Sequence, residues 1–306
     1  MTEEKSIFMF PGQGAQSIGM GADLARDFKV AKAVFEEVDE TLHQNLSSLM
    51  FEGDLAQLTQ TQNAQPAIMA VSVAVVRVLE SEGYVLQDHA LAVAGHSLGE
   101  YSALCAAGAI TLSQAALLLQ ARGQAMAEAC EANQGGMLAL LGATPEQAYE
   151  IADKCGCYVA NDNSVGQIVL SGVQEALYKA KVCATEMGIK RALPLQVAGA
   201  FHSPLMQEAA EKMRCVLDET KFSVPKVPVY FNVTAKTESD VGCFSDLMVQ
   251  QIVSPVRWRE LILNTKANSF VECGSGTVLC GLIKRIVPDA QTVALNSSET
   301  IQSFLK

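Results

Sequence analysis

The apolar run Ala90-Leu91-Ala92-Val93-Ala94 leads directly into Gly95-His96-Ser97-Leu98-Gly99-Glu100, which sets a serine between two glycines. The stretch predicts a strand, a sharp turn and a helix. At such a turn one side chain is lifted out of the sheet, and the flanking glycines permit dihedrals and a close backbone approach that a β-carbon would forbid. Ser97 therefore reads as the nucleophile of an elbow, with its hydroxyl at a helix N-terminus where backbone N–H groups can stabilise an oxyanion.

The same alternation of strand and helix recurs on both sides. Upstream, Ser6-Ile7-Phe8-Met9-Phe10 reads as a strand broken by the sharp loop Pro11-Gly12-Gln13-Gly14. That loop is a poor dinucleotide cradle, because Ser17 stands where the fingerprint needs its third glycine and no Gly-Lys-Ser/Thr follows. Helical periodicity covers residues 22–39 and, with Pro66 in the first turn, 66–79. A helix capped by Ser113 runs past Arg122 to about 132. Strands at 137–141, 158–160, 167–170 and 190–195 then enclose helices at 145–154 and 174–187. This βαββαβ order is the split arrangement of a ferredoxin-like domain, placed at 134–196 as an insertion. Beyond it, strands at 227–233, 269–272 and 292–295 with a helix at 278–286 return to the larger unit. The expected class is α/β, with a mostly parallel sheet covered by helices.

Composition narrows the function. Of 306 residues, 49% are hydrophobic and 18% charged, enough for one large core with a smaller appended domain. The opening Met1-Thr2-Glu3-Glu4-Lys5 is polar, and the longest apolar stretch, 67–79, is short for a bilayer and carries Arg77. The formal charge of −11 argues against nucleic acid and anionic membrane as partners. Lys190-Arg191 and Lys284-Arg285 are the basic pairs that could build a local patch, or be ordinary solvated surface. Nine cysteines form no framework, and Cys155 and Cys157 lack the spacer of redox or zinc motifs, which suits a reducing cytoplasm. With four histidines and no clustered ligands, no metal site is expected.

A serine hydroxyl needs a base, and the usual base is histidine. His43 and His89 lie in polar segments, while His96 adjoins the serine at a turn where consecutive side chains diverge and so packs beside the pocket. His202 remains, in Ala198-Gly199-Ala200-Phe201-His202-Ser203-Pro204, where the chain re-enters the large domain. Asp162, Asp240 and Asp246 are available acids, but none follows a strand end where hydrolases place theirs.

Together with the elbow, Phe10-Pro11-Gly12-Gln13-Gly14, Arg122-Gly123, Asn163-Ser164-Val165-Gly166-Gln167, Gly199-Ala200-Phe201-His202-Ser203-Pro204 and Gln251 with Pro255-Val256-Arg257-Trp258 resemble, in order and spacing, the malonyl-CoA:acyl carrier protein transacylases of bacterial fatty acid synthesis. The resemblance spans nearly the whole chain. It implies an α/β-hydrolase-like large domain with a parallel sheet at 1–133 and 197–306, and the inserted ferredoxin-like domain at 134–196. It also implies that Ser97 is acylated, that His202 is the base and is oriented by the Gln251 backbone carbonyl, and that the N–H groups of Gln13 and Leu98 form the oxyanion hole.

By the same resemblance Arg122 grips a free carboxylate through paired hydrogen bonds, Phe201 narrows the pocket against a methyl branch, and His96 and Asn163 complete the substrate-binding set. Val165 stands where the family often has proline, with only a local loop effect expected. The implied reaction is ping-pong transfer of malonyl from malonyl-CoA to acyl carrier protein, with no cofactor, by a cytoplasmic monomer. A serine esterase or thioesterase would share the elbow without needing Arg122. A non-catalytic carrier-binding protein would need neither.

Overall fold

The computed structural model describes residues 5–306, so the polar opening read from Met1 to Glu4 lies outside the described residues. The strands among them are β1 (Ser6–Phe10), β2 (Ala90–Gly95), β3 (Gly135–Leu141), β4 (Tyr158–Ser164), β5 (Gln167–Val173), β6 (Arg191–Pro194), β7 (Val229–Phe231), β8 (Lys236–Thr237), β9 (Ser269–Cys273) and β10 (Gln291–Leu295). One sheet has the order β10-β9-β1-β2-β7-β8, and a second has the order β4-β5-β3-β6. In the first, all neighbours from β10 to β7 are parallel, and only the short edge strand β8 runs antiparallel.

A parallel sheet must be covered on both faces, and β1, buried along its whole length, meets that demand by alternation. Phe8 and Phe10 enter the core supplied by the helices Lys29–Leu42, Thr61–Ser81 and Leu112–Ala132. Ile7 and Met9 face the opposite layer, with Trp258, Leu261 and Ile283. Within the first layer, Thr61–Ser81 and Leu112–Ala132 meet backbone to backbone. A β-carbon on Gly123 would stand 2.5 Å from the Gln62 Cα and 2.7 Å from the Thr61 carbonyl oxygen.

The second sheet is antiparallel throughout. Leu138, Leu140, Ile168 and Leu170 pack against Ile151 and Leu177 on the helices Pro145–Cys155 and Gln174–Glu186. The alternate residues Met137, Ala139 and Val169 join the main core instead. Backbone bonds tie β4 to the rest of the protein, with Asp162 N–H donating to the Val256 carbonyl at 3.0 Å and Val256 N–H to that of Ala160 at 2.9 Å. Arg259 clamps the Asp162 carboxylate from Nε and Nη2 at 2.9 and 2.7 Å.

Several local expectations need correction. The helix containing Pro66 begins at Thr61, so proline sits inside it rather than in its first turn, and burial of nearly every residue there outweighs the lost backbone donor. This helix is long and apolar enough to cross a membrane by length and composition, unlike the 67–79 run, yet 83% of its apolar window is buried inside the protein. Thr111, not Ser113, caps Leu112–Ala132, because Gln114 completes a reciprocal capping box with it. The stretch 22–39 is two helices, Ala22–Asp27 and Lys29–Leu42, separated by the extended Phe28. The strand expected at 227–233 shortens to Val229–Phe231.

The contact at Gly123 yields a test. Replacing Gly123 by alanine forces two backbones apart and should cost about 1–3 kcal/mol through overpacking. A urea titration should show a lower midpoint with an unchanged slope. A midpoint equal to that of the parent protein would mean the helices separate freely.

Candidate active site

β1 and β2 end side by side, Phe10 opposite Gly95, so the loops that follow both strands leave the sheet at one level. A β-carbon on Gly95 would fall 1.9 Å from the Gly99 carbonyl, and one on Gly99 would fall 2.2 Å from the Phe10 carbonyl oxygen. Both positions demand glycine. Between them Ser97 adopts a φ of 53°, the left-handed region, and the helix Gly99–Ala106 starts immediately after. Gly12 is constrained too, though less tightly, since its β-carbon would meet the His96 carbonyl oxygen at 2.8 Å. The Pro11–Gly14 loop thus packs on the elbow.

His202 is buried and carries a φ of 55°. Its segment is held by Ser203 Oγ donating to the Ala200 carbonyl at 2.6 Å and by Ser171 Oγ donating to the Phe201 carbonyl at 2.5 Å. The His202 Nε2 lies 2.8 Å from Ser97 Oγ, and its Nδ1 lies 2.8 Å from the Gln251 backbone carbonyl oxygen. Gln251 is in the last turn of the helix Phe244–Val253, where carbonyls lack intrahelical partners. The three acids considered from sequence are engaged elsewhere: Asp162 with Arg259, Asp240 at the Gly242 N–H, and Asp246 with Arg214. Of the other histidines, His43 ends a helix in the left-handed conformation and His89 stacks on Tyr84 with centroids 3.8 Å apart.

Arg122 reaches the same point from Leu112–Ala132. It is 1% exposed. Nη1 donates to Gln65 Oε1 at 2.7 Å, while Nη2 donates to Gln251 Oε1 at 2.8 Å and to Ser97 Oγ at 3.1 Å. All these partners are neutral. Among the described residues no ion pair involves Arg122, and the nearby Glu100 carboxyl is pushed up to about 8 by burial, which leaves it protonated at neutral pH. A guanidinium keeps its charge even so. His202 is driven the other way, down to about 3, first by burial and then by the Arg122 charge, and so is neutral.

These groups open on a cavity of about 230 Å³ between the two sheets. Gln13, Phe201, His96 and Asn163 line it, with His96 Nε2 2.8 Å from Asn163 Oδ1, so a residue of the elbow is joined to β4 across the gap. Leu98 has its side chain in the main core. Arg285 donates to Gln167 on the same rim at 2.7 Å. Among the described residues no three His, Cys, Asp or Glu side chains are grouped to hold a metal ion.

Three participants escaped the sequence. Gln65 is a buried polar residue of the helix Thr61–Ser81, Asn232 follows β7 beneath the elbow, and the Gln251 side chain, beyond its carbonyl, donates to the Ser97 carbonyl at 3.0 Å. A polar residue just past an apolar strand was the available signal for Asn232.

The acyl transferase domain family matches residues 7–294. The malonyl CoA-acyl carrier protein transacylase of Bacillus subtilis is 43% identical, over 97% of this chain and 95% of its own. The acyl-carrier-protein S-malonyltransferase structure from Bartonella henselae superposes with a TM-score of 0.95 at 45% identity, covering 98% of each chain. A malonyl-transacylase solved in complex with its holo type II PKS acyl-carrier protein superposes with a TM-score of 0.93 at 38% identity, covering 99% of each. The chain belongs to the acyl transferase domain family and, within it, to the malonyl CoA-acyl carrier protein transacylases.

Proposed function

We propose that the protein transfers a malonyl group from malonyl-CoA to the phosphopantetheine thiol of acyl carrier protein through an acyl-serine, supplying malonyl units for fatty acid synthesis. The observation that carries this reading is Arg122, a buried cation facing the cavity with only neutral partners. Such a charge calls for an anion, and a malonyl carboxylate supplies one where acetyl does not.

In the first half-reaction His202 Nε2 takes the Ser97 hydroxyl proton as Oγ attacks the thioester carbonyl. The N–H groups of Gln13 and Leu98 hold the oxyanion, the carbon–sulfur bond breaks, and coenzyme A leaves as a thiol with the proton from His202. In the second, the carrier thiol gives its proton to His202 and attacks the acyl-serine. The ester bond breaks, and Ser97 recovers its proton from the imidazolium. The Gln251 carbonyl keeps Nδ1 protonated and Nε2 free to accept. Phe201 narrows the acyl end of the pocket, and His96 and Asn163 form its wall. Thioester and oxyester are of comparable energy, so no cofactor is needed and water exclusion favours transfer over hydrolysis.

The strand orders support an α/β-hydrolase-like large domain at 1–133 and 197–306 and a ferredoxin-like domain at 134–196. In the latter, βαββαβ chain order and an antiparallel β4-β5-β3-β6 sheet occur together. A monomer working in the cytoplasm is the proposed form, and nine unpaired thiols favour that reducing compartment.

Intact-protein mass spectrometry after brief exposure to malonyl-CoA tests the mechanism. A malonyl adduct should form on the parent protein, be absent from Ser97→Ala, and disappear on adding holo acyl carrier protein. Thioester loss without an adduct would point to a hydrolase.

Arg122→Ala should lower kcat/KM for malonyl-CoA by about thirtyfold or more, the cost of truncating one side of a buried charge pair, and should leave acetyl-CoA the relatively better donor. Equal effects on both thioesters would sink the carboxylate assignment.

Because His202 is depressed to about 3, the base stays neutral in mild acid. Single-turnover acylation at about pH 5.5 should remain within about twofold of its rate near pH 7.5, whereas an ordinary imidazole would lose roughly tenfold. The stability linkage has the matching sign. Its contribution is complete above about 6.5 and is lost as pH falls toward 3, where the unfolded chain takes up a proton that the folded site refuses.

A further inference from the structure

Asn232 lies just beyond β7, away from the cavity wall and outside every group given a chemical role above. It is fully buried beneath the elbow. Its side-chain oxygen accepts the Ser97 N–H at 2.8 Å, its side-chain amide donates to the Gly95 carbonyl at 2.7 Å, and its backbone N–H donates to the buried Glu100 carboxyl at 2.7 Å. One residue therefore grips the chain before the elbow, at it and after it.

The geometry gives this grip a purpose. The β2–β7 ladder pairs Val93 with Val229 and Ala94 with Tyr230, and the Asn232 amide supplies a further rung from a side chain just where β2 stops being a strand. Ser97, immediately beyond, holds a φ of 53°, which a residue with a β-carbon adopts only when its surroundings over-determine it. A primary amide suits the task, because one face accepts from an N–H while the other donates to a carbonyl.

We propose that Asn232 is a positioning residue for the nucleophile, holding the Ser97 backbone in its left-handed conformation so that Oγ stays aligned on His202 Nε2. The same bond occupies the Ser97 N–H, which leaves the next amide, that of Leu98, to face an oxyanion. The inference rests on Ser97 being the nucleophile, and its effect passes entirely through that residue.

A small alkyl fluorophosphonate separates the two questions. Ser97 Oγ bonds to phosphorus, fluoride leaves and His202 takes the proton, and the reagent brings no carboxylate for Arg122 to bind. If the parent protein is not labelled, the nucleophile assignment fails. If it is labelled, folded Asn232→Ala should react about a hundredfold more slowly, the scale on which small misplacements act. Its acylation by malonyl-CoA should fall by the same factor, with KM unchanged within about twofold. A role in stability alone would lower the melting temperature and leave the labelling rate of the folded protein within about threefold of the parent, which would overturn the proposal.

Asn232→Asp decides the matter should the alanine variant not fold. The acid form of the new side chain offers the same acceptor and donor pair as the amide, so its labelling rate should climb toward the parent value as pH falls from about 8 to about 5. Labelling at the parent rate at pH 8, or equally depressed across the range, overturns the proposal.

Discussion

The rest of the site depends on the contact between the Gly95–Gly99 turn and the carbonyl end of β1. Gly99 sits where any β-carbon would strike the Phe10 carbonyl, and the His96 N–H donates to that same carbonyl at 3.0 Å. The turn is therefore seated on the neighbouring strand, and the parallel register of Phe10 with Gly95 sets its height. Because β1 and β2 are central and β1 is buried on both faces, that height is tied to the interior of the sheet. Gln13 is carried to the cavity by the loop after β1 and Ser97 by the loop after β2. An oxyanion hole drawn from both loops would owe its geometry to adjacent parallel strands, which move little relative to each other.

Electrostatics then divides the labour among groups that share little space. Burial alone would depress both cations, but a guanidinium resists deprotonation and an imidazole does not. The single buried positive charge therefore settles on Arg122 and helps keep His202 neutral. Neutrality is what a general base requires. An anion bound at Arg122 would offset the same field, and so would ease protonation of His202 at the moment when the proposed chemistry needs it. Arg122 and His202 are coupled through the charge as well as through Ser97 Oγ, which both touch.

What could be read from sequence was local. The elbow glycines, the loop after β1 and the β-α alternation each leave their mark within a dozen residues, and His202 was found by eliminating few alternatives. The cap expected at Ser113 belongs to Thr111, whose partner Gln114 lies at capping-box spacing, a signal the sequence does carry. Asn232, Gln65 and the Gln251 amide were not. Each acts across a large separation in sequence, and Asn232 reaches the elbow only because β7 lies beside β2, a strand order that periodicity does not encode. Pro66 misled for a related reason, since tertiary burial carried the helix through a residue that local propensity would have put at its start.

The absence of a carboxylate behind His202 follows from the same charge logic. A carbonyl in the final turn of Phe244–Val253 already lacks a backbone partner and carries the negative end of the helix dipole, so it can accept the Nδ1 proton without adding a formal charge. An aspartate in that place would stabilise the imidazolium more strongly, but it would also set an anion close to a cavity proposed to receive one. It would compete for Arg122, whose hydrogen-bond partners are neutral amides and a hydroxyl. A hydrolase acting on uncharged esters faces no such conflict. An enzyme that selected a carboxylate beside its own nucleophile would, and a neutral acceptor would resolve it by leaving the guanidinium's charge to the substrate.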